Sequence, residues 1–209
     1  MHHHNNDELI VRANVFDPLS IITRSSDFES FVFFSTSSVK LPTQTMYSRT
    51  KRATEEVLLA FREKYQLPIC IIRPMSITGI GEQKEHLIPT LIRASYSGET
   101  VNFVPEPRHD FIDVEDLVNG ILNLSNHKVG GVFELGTGIS YSNQEVLEIV
   151  ERVTEKKIRV NLVDSLRPYD TKKWVSDNFR SRSWGWLPQK TLEVSIKEMV
   201  DEYLREKDN

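Results

Sequence analysis

Short apolar runs and helical apolar stripes alternate along this chain, separated by polar turn residues. A helical stripe covers residues 7–23 and contains Pro18, so we expect a helix with a kink or a break at that proline. Residues 31–34 and 69–72 are short apolar runs of strand type, and residues 46–61 between them have helical spacing. Two buried strands joined by one helix predict a β-α-β crossover and therefore a parallel sheet.

The alternation continues through the second half of the chain. Helical stripes and strand-like runs lie at residues 87–97, 101–104, 115–126, 132–135, 158–163 and 192–204. Ser142 and Glu145 have the spacing of a capping box, so we expect a helix to begin there. Alternating strands and helices favour the α/β fold class.

Composition narrows the function classes. The 209 residues are 39% hydrophobic and 27% charged, which is typical of a globular protein. The net charge of −4 argues against a broad nucleic-acid surface. No apolar run approaches membrane-spanning length, and no secretory signal is visible. We therefore expect a cytoplasmic protein without nucleic-acid or membrane partners. His2 to His4 have no Asp, Glu or Cys at ligand spacing, so no metal site is expected.

Candidate chemistry follows the apolar run at residues 31–34. Thr36 lies just after that run, and Tyr47 and Lys51 are four residues apart on one helix face, with Cβ atoms about 5–6 Å apart. A nearby ammonium group favours a phenolate, so we expect Lys51 to lower the pKa of Tyr47 from its usual value of about 10. A Tyr-x-x-x-Lys pattern alone also occurs by chance, and Thr36 alone could simply cap the backbone.

Several stretches of the chain match sequence motifs of one protein family and occur in the same order as in that family. They are Asn14-Val15, residues 34–39, Tyr47-x-x-x-Lys51, residues 67–74 with their Arg-Pro ending, residues 110–116, Arg167-Pro168-Tyr169-Asp170 and Gly185-Trp186-Leu187-Pro188. Together they resemble the extended short-chain dehydrogenase/reductases, in particular the NAD-dependent epimerase/dehydratase family that acts on nucleotide sugars. The resemblance implies a Rossmann-type parallel sheet with a small C-terminal α/β substrate-binding lobe.

The resemblance also implies roles for individual residues. Tyr47 would be the general acid/base at a sugar hydroxyl, and Thr36 would hydrogen-bond the same oxygen. Lys51 would hold the nicotinamide ribose and lower the pKa of Tyr47. Together with these three residues, Asn14 and the backbone of Met75 would contact the cofactor. That cofactor would be NAD, with NADP left open.

The resemblance also implies which residues would bind the substrate. Arg167, with Arg108 or His109, would contact the diphosphate of a nucleotide-sugar substrate. Ser76 stands where the family usually has Asn and would also face the substrate. A homodimer formed through the helix of Tyr47 is implied as well.

The largest departure from the family is in the phosphate-binding part. No G-x-x-G-x-x-G loop occurs in the 209 residues, so we expect the front β-α units to be missing and NAD binding to be weak or undetectable. Residues 1–77 and 110–137 would then be the remnant of the dinucleotide-binding domain. Residues 78–109 and 138–209 would form the substrate-binding lobe.

Smaller departures concern the reaction. Ser37 and Ser38 replace the Asp-Glu pair of the family's 4,6-dehydratases, which favours epimerisation or simple oxidoreduction. The family's Val-Tyr-Gly becomes Val39-Lys40-Leu41. The alternative is a truncated, non-catalytic relative that serves as a binding or scaffolding module. The coding sequence upstream of Met1 would discriminate between the two hypotheses.

Overall fold

The computed structural model describes residues 3–25, 27–164 and 174–207. The chain divides into two compact units. The first comprises Met1–Pro74, Asn119–Leu135 and Asn178–Trp186, and the second comprises Met75–Val118, Gly136–Asp177 and Leu187–Asn209.

Strands and helices alternate in the described residues, as the hydrophobic pattern predicts. The strands are β1 Phe31–Phe34, β2 Ile69–Pro74, β3 Ser76–Thr78, β4 Val101–Phe103, β5 Arg108–His109, β6 Phe111–Asp113, β7 Gly131–Leu135, β8 Tyr141–Ser142 and β9 Val160–Leu162. The α-helices are α1 His3–Val11, α2 Asp17–Arg24, α3 Met46–Tyr65, α4 Leu87–Ser97, α5 Val114–Asn126, α6 Asn143–Thr154, α7 Phe179–Arg182 and α8 Leu192–Lys207. None of the helices in these residues is long and apolar enough to span a lipid bilayer.

The first unit is built on a three-stranded parallel sheet with the order β1-β2-β7. Phe31 is the partner of Ile69, and Ile71 is the partner of Val132. The predicted β-α-β crossover through α3 is thus confirmed. Leu58 of α3 is fully buried in a core cluster that also contains Ile69 and Ile71. This packing fixes the helix that carries Tyr47 and Lys51 to the sheet.

The helical segment at residues 3–24, which begins the first unit, differs from the predicted kinked helix. The chain stays helical from α1 to α2, and the irregular part is a π-helical segment, Arg12–Phe16, that precedes Pro18. Pro18 lies in the first turn of α2, directly after this segment, and its missing N–H cannot donate to the preceding turn. The predicted interruption therefore takes the form of a π-helical segment just before Pro18, and the helix is not broken at the proline itself.

The second unit packs three helices, α4, α6 and α8, around one core cluster. Ile88, Leu91, Val146, Val150 and Ile196 are all buried in it. Short strand pairs accompany these helices: β3 with β6 and β4 with β9 are parallel, and β5 with β8 is antiparallel.

The capping box predicted for α6 is confirmed. Ser142 accepts from the backbone N–H of Glu145, and the Glu145 carboxylate accepts from the N–H of Ser142 at 2.6 Å.

Candidate functional site

Thr36 is placed by the end of β1. The ladder to β2 continues through Ser35, whose N–H donates to the carbonyl of Ile72 at 2.8 Å. Thr36 then begins a 3₁₀ turn, Ser37–Lys40, and its Oγ1 accepts from the N–H of Ser38 at 3.2 Å. A strand end followed by a tight turn therefore presents the Thr36 hydroxyl in a defined position.

The start of α3 places Tyr47 and Lys51. Thr45 is the N-cap, and its side chain and that of Ser48 form a reciprocal capping box. Tyr47 therefore lies in the first turn of the helix and Lys51 in the next, on the same face.

Tyr47 and Thr36 are brought together. A hydrogen bond with the Thr36 side chain lowers the pKa of Tyr47, but partial burial of the phenol has the larger effect and raises the pKa above its usual value. For the ligand-free chain, the prediction of a lowered Tyr47 pKa was therefore wrong. Lys51, which was expected to lower it, is not among the causes of the shift.

Lys51 is bound to the end of β1. Its Nζ donates to the carbonyl of Phe34 at 2.6 Å and lies 4.8 Å from the ring centre of Phe33. The distance to the ring centre of Tyr47 is 5.9 Å. Burial lowers the pKa of Lys51. Two hydroxyls and one ammonium group therefore lie near the end of β1 as a set of hydrogen-bonding groups, and their predicted contact with a cofactor stays a prediction.

The raised pKa of Tyr47 gives a testable titration. We expect the Tyr47 phenol of the ligand-free chain to ionise above pH 10, since an unfolded tyrosine ionises at about 10. A raised folded pKa stabilises the fold below pH 10, and this contribution is lost as the pH rises through the folded value. Difference absorption near 295 nm between wild type and Tyr47→Phe measures the ionisation. An ionisation midpoint of Tyr47 below pH 10 would contradict a raised pKa of this phenol.

Asn14 connects the π-helical segment to α3. Its Nδ2 donates to Thr50 Oγ1 at 3.0 Å, and its backbone carbonyl accepts from Thr54 Oγ1 at 2.7 Å. Asn14 is only 7% exposed. The predicted cofactor contact of Asn14 stays a prediction, whereas these bonds show that it helps to hold the helix of Tyr47.

A buried ion pair holds α3 to β2. Arg73 Nε donates to Glu55 Oε1 at 2.9 Å, and a second bond joins Nη2 to Oε2. Glu55 lies one turn beyond Lys51 on the same face, and its side chain is 1% exposed. The bond with Glu55 raises the pKa of Arg73.

Four of the predicted cofactor or substrate residues that the structure describes lie in the second unit: Met75, Ser76, Arg108 and His109. Met75 is buried, and Ser76 Oγ is 3.4 Å from His109 Nδ1. The His109 ring packs against that of Trp174, with ring centres 5.3 Å apart. Arg167 lies outside the described residues.

Arg108 is held by neighbours within the second unit. Its guanidinium donates to the Ser140 carbonyl at 2.6 Å and pairs with Glu145 at 3.0 Å. Its predicted contact with a diphosphate stays a prediction, and the Glu145 carboxylate would have to share the guanidinium with that anion.

A cavity of about 470 Å³ lies within the second unit. Ser76 and His109 line it, together with Phe103 and Asn143. Glu82 also lines it, and burial raises the pKa of this carboxyl against smaller opposing effects of bonds to Thr78 and His86. Two of the predicted substrate residues, Ser76 and His109, therefore share one cavity.

Asp110 is an organising residue whose role the sequence pattern did not reveal. It is fully buried and its carboxylate accepts from the N–H and hydroxyl of Thr137 at 2.8 and 2.6 Å. The other oxygen accepts from the Gly138 N–H at 2.9 Å and from the N–H and hydroxyl of Ser176 at 3.0 and 2.7 Å. A Cβ at Gly136 would come within 2.7 Å of that carboxylate, so a side chain cannot fit there.

Replacement of Asp110 should destabilise the second unit. In Asp110→Asn, the amide nitrogen cannot accept the bonds that one carboxylate oxygen now accepts, and we expect a loss of about 2–4 kcal/mol in the free energy of unfolding. Ser176→Ala removes a single hydroxyl bond and should cost about 1 kcal/mol. Urea unfolding of both variants measures the difference. Equal stabilities of the two variants would contradict this role of Asp110.

Comparison with known proteins points to one family. The model of the NAD dependent epimerase/dehydratase family matches residues 3–136. Low-salt glycan biosynthesis protein Agl12 of Haloferax volcanii is 28% identical over 162 residues, which cover 76% of this chain and 52% of that protein. The chain thus spans about half the length of this relative.

Solved structures show the same fold. The UDP-N-acetylglucosamine 4-epimerase from Methanobrevibacter ruminantium M1, in complex with UDP-N-acetylmuramic acid, superposes with a TM-score of 0.85 at 22% identity, covering 93% of this chain and 70% of that one. The UDP-glucose 4-epimerase of Thermus thermophilus, in complex with NAD, gives a TM-score of 0.79 at 20% identity, covering 91% and 70%. The predicted α/β fold of Rossmann type is confirmed. Because the family model matches more than half of its residues, this chain belongs to the NAD-dependent epimerase/dehydratase family.

Proposed function

We propose that Thr36, Tyr47 and Lys51 are the proton-handling groups of an epimerase or oxidoreductase that acts on a nucleotide sugar. The placement of Lys51 between the two hydroxyl-bearing segments carries this proposal. Its Nζ binds the carbonyl of Phe34, two residues before Thr36, and lies 5.9 Å from the ring centre of Tyr47.

Each of the three side chains has a distinct part in this proposal. Tyr47 donates a proton to, or accepts one from, the reacting sugar hydroxyl, and 44% of the residue is exposed for that contact. Thr36 orients the same hydroxyl. Lys51 binds ribose hydroxyls once its bond to Phe34 is exchanged for them. NAD, or alternatively NADP, would supply the hydride-accepting group when bound.

The substrate side is proposed from the second unit. Ser76 and His109 would contact the nucleotide sugar from the cavity that they line, with Arg108 and Arg167 at the diphosphate. The structural neighbours described above were solved with UDP-N-acetylmuramic acid and with NAD, which supports this class of ligand. We also propose the division into cofactor-side residues 1–77 and 110–137 and a substrate lobe. A cytoplasmic location stays a prediction.

The test is conversion of nucleotide sugars by the complete gene product. Proton NMR of UDP-, dTDP- and GDP-hexoses incubated with protein and NAD should show one sugar converted to an epimer or an oxidised product. Binding of these sugars without conversion of any would contradict the proposal and favour the alternative, a non-catalytic binding module.

We also propose a homodimer through the helices at the start of the chain and α3. Leu9, Phe16 and Val57 on these elements are 62%, 64% and 38% exposed, and a second copy would cover them. Sedimentation equilibrium should give twice the monomer mass for wild type and a monomer for Val57→Glu. The matched control is Leu162→Glu, at a 68% exposed residue of the second unit, which should stay dimeric. A monomeric wild type at high micromolar concentration would contradict this proposal.

A further inference from the structure

An ion pair closes the turn that carries Thr36. Lys40 is the last residue of the 3₁₀ turn after Thr36, and its Nζ is 2.7 Å from Oε1 of Glu134 on β7. The Lys40 side chain is 49% exposed and that of Glu134 is 10% exposed. The two residues of the pair are 94 positions apart in the sequence, so the pair joins the turn to a strand that is distant from it in the chain.

This ion pair adjoins the one that holds α3. Glu134 is the register partner of Arg73 in the parallel sheet, so the two side chains lie on the same face of neighbouring strands. Arg73 in turn binds Glu55 of α3. The charges therefore alternate in the order Lys40, Glu134, Arg73 and Glu55, and we name these four residues the charged clamp.

We propose that the charged clamp sets the Thr36 hydroxyl against the Tyr47 hydroxyl, so that Lys40 and Glu134 are positioning residues for the proton transfer. This inference rests on the proposed function of Thr36 and Tyr47. One end of the clamp holds the turn of Thr36, and the other end holds the helix face that carries Tyr47, Lys51 and Glu55.

The ion pair adds to burial and to local hydrogen bonds that also hold the turn. Val39 is 2% exposed, and its carbonyl accepts from Gln44 Nε2 at 2.8 Å. Within the turn, the N–H of Val39 donates to the carbonyl of Thr36 at a long 3.4 Å, and the N–H of Leu41 donates to that of Ser38 at 3.1 Å. These bonds set the local shape of the turn but do not join it to the sheet. Displacement of a catalytic group by about 1 Å can lower a rate by about 10²-fold, so a pair that limits movement of the turn affects turnover.

Hydrogen exchange tests the clamp without any need for turnover. In Lys40→Met, the apolar part of the side chain is kept and the charge is lost. We expect the backbone amides of Val39 and Leu41 to exchange about fivefold faster, the effect of losing a partly exposed ion pair. Lys40→Arg should restore the wild-type rate. The matched control Lys128→Met removes an exposed pair with Glu29 in the same unit and should leave both amides unchanged.

Kinetics of the complete gene product on its nucleotide sugar test the positioning role. Lys40→Met and Glu134→Gln should each lower kcat by about tenfold with KM within about twofold. The double variant should lose no more than Glu134→Gln alone, because that change already breaks the contact with Lys40. Lys40→Arg should recover most of kcat.

The two sets of data separate this inference from the proposed function. Unchanged exchange at Val39 and Leu41 in Lys40→Met would overturn the clamp, whether or not the protein is an enzyme. Faster exchange with an unchanged kcat would overturn its positioning role. A wild type without turnover would overturn the proposed function, and the positioning role with it, while the exchange data would still decide whether the clamp holds the turn.

Discussion

Replacement of Tyr47 with phenylalanine should lower kcat on a nucleotide sugar by about 10²- to 10⁴-fold, the usual contribution of one general acid/base. The substitution removes the phenolic oxygen, whose pKa the Thr36 side chain lowers, and leaves the ring in place. Lys51 keeps its bond to Phe34, so the helix and the strand end should stay where they are. Affinity for the nucleotide sugar should therefore change little, and the loss should appear in kcat.

A second tyrosine on the same helix provides the control. Tyr65 is the last residue of α3 and is 54% exposed, so Tyr65→Phe removes a phenolic oxygen far along the helix from Lys51. Steady-state rates of the complete gene product should be unaffected by this change. A Tyr47→Phe variant with the turnover of Tyr65→Phe would remove Tyr47 from its proposed role.

Loss of the Arg73 side chain should have the largest effect on stability. Arg73→Ala leaves the carboxylate of Glu55 buried at 1% exposure without the partner that neutralises it. Breaking a buried pair on one side typically costs about 3–5 kcal/mol. Urea unfolding, followed by circular dichroism, should show this loss relative to wild type.

Removing both charges tests whether the buried, unpaired carboxylate of Glu55 causes this loss of stability. The double variant Glu55→Leu/Arg73→Met should recover much of the stability, because no unpaired charge stays buried. Arg152→Ala breaks a pair with Glu193 whose side chains are 56% and 50% exposed, and it should change the free energy of unfolding far less. An Arg73→Ala variant as stable as Arg152→Ala would show that burial of Glu55 carries no such penalty.

The elements of the fold could be predicted because hydrophobic spacing is a local property. The predicted helix at residues 87–97 has the observed bounds of α4, and the strand at residues 31–34 has those of β1. The π-helical form of the segment before Pro18 was not predicted. The bond from Asn14 in this segment to Thr50 of α3 joins residues 36 positions apart, and the spacing of apolar residues does not report such contacts.

The site could be predicted only in part for a similar reason. Spacing placed Tyr47 and Lys51 on one face, but the shifts of their pKa values depend on burial, which spacing does not report. The bond of Lys51 to the carbonyl of Phe34 likewise joins residues that are 17 positions apart. The five hydrogen bonds given above for the Asp110 carboxylate come from residues that are 27, 28 and 66 positions away. No short motif encodes contacts at such distances.

The central claim is that the Tyr47 hydroxyl meets the reacting hydroxyl of a nucleotide sugar. NMR of the complete gene product labelled with ¹³Cζ-tyrosine tests it most directly, with the Tyr47 signal assigned by its absence in Tyr47→Phe. On saturation with a nucleotide sugar, this signal should shift while that of Tyr65 stays in place. An unchanged Tyr47 signal at full occupancy of the sugar would contradict the claim.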